Sequence, residues 1–192
     1  LFHRGEIVAE LAGALPEPQL RAWLDQHLPT PKRDQLAQAR TLLRAGRAAA
    51  AAALLAPLAA AAPADHEVAA LAARALAFTD PAAALPLADR VPPGSAWADD
   101  AALAATLASA FRADGPALPE SPLRPRYLDA VALLRRESFD AGLAALIAVL
   151  MDRPDYADGR AKALCLAIFR HLGLRHPIVE NHSRAFGMAV NC

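Results

Sequence analysis

Cysteine, lysine and the aromatic residues are all scarce in this chain. Of its 192 residues only two are cysteines, Cys165 and Cys192, far apart and outside any CxxC spacing. That excludes a disulfide framework and fits a reducing, cytoplasmic setting. Aromatics make up 5% of the residues, too few for a β-sandwich core, which draws on aromatic and β-branched strands. An excess of one charge sign is also missing. Twenty basic and 20 acidic side chains cancel, so no field for nucleic acid or an anionic membrane is expected. The basic residues are nearly all Arg, with Lys only at Lys32 and Lys162. The longest apolar run, 48–62, is mostly alanine, contains Pro57 and is too short to span a bilayer. No Gly-rich phosphate loop, GxSxG elbow or Ser/His/Asp order occurs, so these residues give catalysis no support and no cofactor is expected.

What the chain has is alanine and leucine. Hydrophobic residues make up 55% and mean hydropathy is +0.21, which suits closely packed helices. After His27 the pattern stays helical, with Leu20, Trp23, Leu24 and Leu28 already on one face behind Pro16. Thr30-Pro31 reads as an N-cap with proline at N1, and Leu36, Ala39 and Leu43 line the helix that follows. From Arg47 a partner helix carries Ala51, Leu55 and Leu58 and closes at Pro63. Asp65 and Asp80-Pro81 open two more, and Trp97, Leu103, Leu107 and Phe111 mark another. The Pro-rich stretch near 113–125 is the best internal connector. Beyond it the helical faces are Tyr127/Val131/Leu134, Phe139/Leu143/Leu146/Leu150 and Leu164/Cys165/Ile168/Leu172, and His176-Pro177 opens the last helix. Pro57 and Pro86 should kink or shorten the helices they sit in.

Paired short helices joined by tight turns read as an α-solenoid. Two segments fit a tetratricopeptide-like (TPR-like) unit, in which small residues recur where two helices cross and a proline ends the unit. In GRAAAAAALLAPLAAAAP these are Ala51, with Leu55 and Leu58 on the core face, and Pro63. In SFDAGLAALIAVLMDRP they are Gly142, with Phe139, Leu146 and Val149, and Pro154. The stretch DPAAALPLADRVP between them is degenerate, and a helical bundle with the same Ala/Leu pattern is the alternative.

The two ends carry a resemblance. DYADGRAKALCLAIFRHLGLRHPIVENHSRAFGMAV resembles the C-terminal signature of the YbbN-like co-chaperones, or chaperedoxins, through Asp155, Arg160, Ile168-Phe169, Leu172-Gly173, His176-Pro177 and Ile178-Val179. Where that family continues with Tyr and paired Arg, this chain has His182 and Ser183 and keeps Arg184. At the other end Phe2, Gly5, Gly13-Ala14-Leu15 and the Leu20/Trp23/Leu24 face resemble the last hairpin and helix of a thioredoxin fold. Arg4-Gly5 could turn that hairpin, and 7–11 would be its edge strand.

The resemblance implies a mainly α fold. Residues 1–29 would be the C-terminal remnant of a thioredoxin-like domain, and 30–192 a TPR-like helical domain. It implies a co-chaperone that binds client proteins and can contact a chaperonin; the charge balance and the short apolar run give no expectation of a nucleic-acid or membrane partner. The chain opens on Leu1, and the redox motif of such a protein would lie upstream. The chain is therefore not expected to be an enzyme by itself, and the alternative function is part of a thioredoxin-like thiol–disulfide oxidoreductase. Cut from its sheet, the hairpin should be covered by the array, paired with a second copy in a homodimer, or completed by the rest of its own domain.

Candidate side chains are few. Cys165 lies between Leu164 and Leu166 on an apolar face and reads as a buried structural thiol. Asp99-Asp100 fits a helix start better than a carboxylate pair, because adjacent residues face apart. His171, His176 and His182 sit among Arg170, Arg175 and Arg184, but spacings of five and six do not make a metal site. They read as a solvated basic edge or a docking surface. Arg175, His176, His182, Arg184 and Phe186 are the expected partner contacts.

Overall fold

A computed structural model describes residues 2–3, 6–7, 9–27, 30–112 and 118–191. The expected Arg4-Gly5 turn, Cys192 and part of the Pro-rich connector lie outside them. The fold is mainly α. Strands β1 (Phe2–His3) and β2 (Glu6–Ile7) pair antiparallel, Phe2 opposite Ile7, and α1 spans Glu17–His27. Ile7 is 58% exposed.

From residue 30 onward each helix start has a local cause. Helix α2 (Pro31–Arg44) begins at Thr30, whose hydroxyl accepts the Arg33 N–H, with Pro31 at the first position. After α3 (Ala48–Ala61), Asp65 accepts the Val68 N–H to open α4 (His66–Thr79), and it also binds Lys32. Asp80 does the same for α5 (Pro81–Ala88) through the Ala83 N–H. Then follow α6 (Ala98–Phe111), α7 (Leu123–Arg135), α8 (Phe139–Asp152), α9 (Arg160–Leu172) and α10 (Pro177–Val190). Pro57 does not end its helix: α3 continues to Ala61. Helix α5 stops two residues after Pro86 and is the shortest of those described.

Helix α4 is the centre. Helices α3, α5 and α6 pack on it, and its residues 68–73, Ala75, Ala77 and Phe78 are buried. Seven alanine and leucine positions in that run let neighbours approach from several sides, which explains why a chain so rich in alanine still fills a core. Helices α7 and α8 form a second pair. Helix α9 then packs on α8, α6 and α2, which ties the two groups together.

The pairs α2–α3 and α7–α8 use the same turn. Gly46 N–H bonds the Leu43 carbonyl and Arg47 N–H the Leu42 carbonyl; Glu137 and Ser138 repeat this on Leu134 and Leu133. Gly46 (φ 65) and Glu137 (φ 61) occupy the left-handed position of these Schellman turns. The two turns also face each other, since a Cβ on Gly46 would lie 3.3 Å from Cε2 of Phe139. In the second pair Gly142 sits where a Cβ would meet Leu134 Cδ2 at 2.6 Å, so glycine is required for the two helices to cross this closely.

Helix C-termini converge around His171. Its ring lies 4.8 Å from Phe78 and 5.8 Å from Phe139, and Phe78 also touches Phe111 at 5.2 Å. The carbonyls there are satisfied by side chains: His171 Nε2 bonds Leu43 O at 3.1 Å, Arg74 Nη2 bonds His171 O at 3.1 Å, and Arg135 Nε bonds Phe78 O at 3.3 Å. Of the six phenylalanines, Phe78, Phe111, Phe139, Phe169 and Phe186 are buried against another ring.

Candidate functional site

The five expected partner contacts separate into two kinds. Arg175 and Arg184 are exposed. His176 is the N-cap of α10, its Nδ1 accepting the Ile178 N–H at 3.3 Å. His182 Nε2 lies 2.9 Å from Asp140 Oδ1, a bond that fastens α10 to α8. Phe186 is a correction to the surface expected of it. It is 9% exposed, with its ring edge-on to Phe169 at 5.3 Å, because Val179, Phe186 and Ala189 form the inward face of α10.

His171 is also corrected. It is 1% exposed and belongs to the core, not to the basic edge. Burial, and next the charge of Arg74, hold its imidazole down at about 3, so the ring is neutral. With Nε2 facing a carbonyl, the proton sits there and Nδ1 has no partner. Cys165 is fully buried, and burial pushes its thiol up to about 12. Among the described residues no group of three His, Cys, Asp or Glu side chains is placed to hold a metal. Asp100 pairs with Arg74 at 2.8 Å, and Asp99 is exposed in the first turn of α6.

A groove of about 810 Å³ between α5, α6, α7 and α9 was not foreseen. Helix α6 contributes Thr106, Ser109 and, at its C-cap, Arg112; α9 contributes Arg160 and Leu164; Leu85 and Tyr127 complete it. Arg112 and Arg160 are exposed, and among the described residues neither has an acidic partner. Arg160 is the first residue of α9, whose N-cap Gly159 supplies no side chain. A cation there opposes the helix dipole. Tyr127 is fully buried and its hydroxyl has no hydrogen-bond partner. Burial raises that phenol to about 12, and the nearby Arg160 charge acts the other way. No sequence signal could have paired Arg112 with Arg160, since the folding of α9 back onto α6 brings them to one groove.

Fold and site together define a mainly α protein with a groove, lined by Arg112 and Arg160, between α5, α6, α7 and α9. No protein-family model matches the chain, and no curated protein and no solved structure matches it either.

Proposed function

We propose that this chain is a protein-binding module of protein folding, a co-chaperone whose TPR-like helix pairs hold client or chaperone proteins. In this reading 1–29 is the end of a thioredoxin-like domain and 30–192 is the binding array. The observation that carries it is the repeated hairpin. Helices α2–α3 and α7–α8 share one turn, and small residues, Ala51 and Gly142, stand at corresponding places five residues past the left-handed position. Stacked pairs of this kind leave grooves that accept peptides. The exposed Arg175 and Arg184 at the C-terminal edge are its candidate contacts for a chaperonin.

The test is light scattering of a heat-aggregating client enzyme with and without the chain, together with capture of a purified chaperonin. Suppressed aggregation supports the reading, and capture that falls in Arg175→Glu and Arg184→Glu supports the edge contact. A generic adaptor would bind peptides yet leave client aggregation unchanged, and that result would remove the co-chaperone reading.

A further inference from the structure

The groove between α5, α6, α7 and α9 has a charge pattern that the fold itself does not use. Arg112 and Arg160 face it without acidic partners among the described residues. Chain-wide charge is balanced, so two guanidinium groups at one groove with no acidic partner among the described residues are a local feature and not a reflection of a basic protein. Helix α9 reinforces it: its sequence RAKALCLAIFRHL holds three cations and no acid, and two of them, Arg160 and Lys162, sit in the first turn, where the dipole already is positive. Asp155 lies 4.0 Å from Arg153, Asp158 is exposed beside the N-cap, and that N-cap is Gly159, so no side chain caps α9. The Tyr127 hydroxyl is one of five buried side-chain atoms without a hydrogen-bond partner among the described residues, and of these residues it is the one that lines the groove.

We infer that this groove binds an extended acidic segment of a partner protein, with carboxylates held by Arg112 and Arg160 and apolar side chains laid on Leu85, Ala105 and Ala110. The inference rests on the reading of the chain as a protein-binding module and names the chemistry of what it binds. An extended peptide fits better than a lone anion. The groove, at about 810 Å³, is far larger than a phosphate needs, and Thr106, Ser109 and apolar side chains line it together with the two cations. Arginine is suited to this role, since its planar fork takes a carboxylate through two donors.

The experiment is fluorescence anisotropy with a short labelled peptide alternating Glu with Leu, and its Gln-for-Glu counterpart, titrated with the full chain. The acidic peptide should bind and weaken as salt is raised, and the Gln peptide should not bind. Arg112→Glu and Arg160→Glu should each weaken binding by about tenfold or more, with Arg136→Glu, an exposed arginine that does not line the groove, as an unchanged control. Tyr127→Phe should weaken binding while raising the unfolding midpoint, a pair of effects that a purely structural phenol would not produce. Equal binding of the two peptides, unchanged affinity in any of the three groove variants, or displacement by inorganic phosphate at equal ionic strength would overturn the proposal. If the chain suppresses client aggregation but ignores the acidic peptide, this inference fails and the broader reading stands. If it binds the peptide through these residues but protects no client, the groove stands and the co-chaperone reading fails.

Discussion

Glu137 caps a helix to which it does not belong. Its Oε1 accepts the backbone N–H of Ala48 at 2.8 Å, in the first turn of α3, where the N-cap Arg47 offers no side-chain bond. Glu137 does so from the left-handed position of the α7–α8 turn, which costs a non-glycine residue about 1 kcal/mol. The cap therefore couples the two matching hairpin turns. Glu137→Ala keeps the left-handed cost and leaves the N–H of Ala48 bare, so it should lose about 1–2 kcal/mol in urea unfolding. Glu137→Gly loses the same bond but relieves the backbone, and should fall between the wild type and the Ala variant.

The same carboxyl has a pH signature. Burial raises it above its ordinary 4.5, and the Ala48 N–H pulls the other way. A raised folded-state value means the folded chain holds the proton more tightly than the unfolded one. Its contribution is thus fully present below about 4.5 and is lost as pH rises through the folded value. Glu137→Gln keeps an acceptor without the charge. Unfolding midpoints should show it at least as stable as wild type at pH 7, with the difference shrinking toward pH 4; a Gln variant weaker at pH 7 would contradict this account.

Much of this fold was legible and some of it was not, for identifiable reasons. The caps at Thr30, Asp65 and Asp80 and the apolar faces of α2, α7, α8 and α9 follow from local pattern, and the structure has them. Phe186 and His171 were misplaced although helical phase pointed inward. Phe186 follows Val179 by seven residues, and His171 follows Leu164 by seven, but their charged sequence neighbours suggested a surface. Glu137 carries no local signal for a left-handed turn, since Gly or Asn is the usual occupant. The groove is a product of tertiary packing and has no counterpart in linear spacing.

The crossing of α7 and α8 depends on Gly142. A Cβ there would lie 2.6 Å from Leu134 Cδ2, 2.7 Å from Cγ and 3.0 Å from the Leu134 backbone nitrogen. Leu134 is fully buried. Gly142→Ala gains about 1 kcal/mol of helix propensity but overpacks the crossing by about 1–3 kcal/mol or more, so the net effect should be destabilising. In a Leu134→Ala background the penalty should shrink, which a double-mutant cycle by denaturant unfolding measures. Equal penalties in both backgrounds would place the cause elsewhere.

His171 should dominate the response to acid. Its folded-state value of about 3 lies well below the ordinary 6.5, so the folded chain resists protonation that the unfolded chain accepts. Stability from this group is present above about 6.5 and is lost as pH falls toward 3, by up to about 1.4 kcal/mol per pH unit. His171→Phe keeps a ring against Phe78 and Phe139 and removes the titration. The Leu43 carbonyl retains the Gly46 N–H, so the lost bond should cost only about 1 kcal/mol at pH 7. Below pH 5 the order should reverse, with the variant more stable than the wild type in thermal unfolding; parallel pH profiles would refute the assignment.

Cys165 offers a direct readout of opening at the junction that α9 makes with α6 and α8. The thiol is fully buried and held up at about 12, so at neutral pH it is neither exposed nor ionised. Reaction with a thiol reagent then requires the helices to separate. In a Cys192→Ser background, which leaves one thiol, labelling of the native chain should be slow and should rise with urea along the same midpoint as helical circular dichroism. A labelling midpoint well below the circular-dichroism midpoint would mean that α9 detaches before the rest of the array unfolds. That order would separate the α9 junction, and with it the groove lined by Arg160, from the cooperative unit built around α4. Coincident midpoints are the expected result, because His171 and Arg74 tie α9 to α2 and α4 through buried hydrogen bonds that global unfolding alone should break.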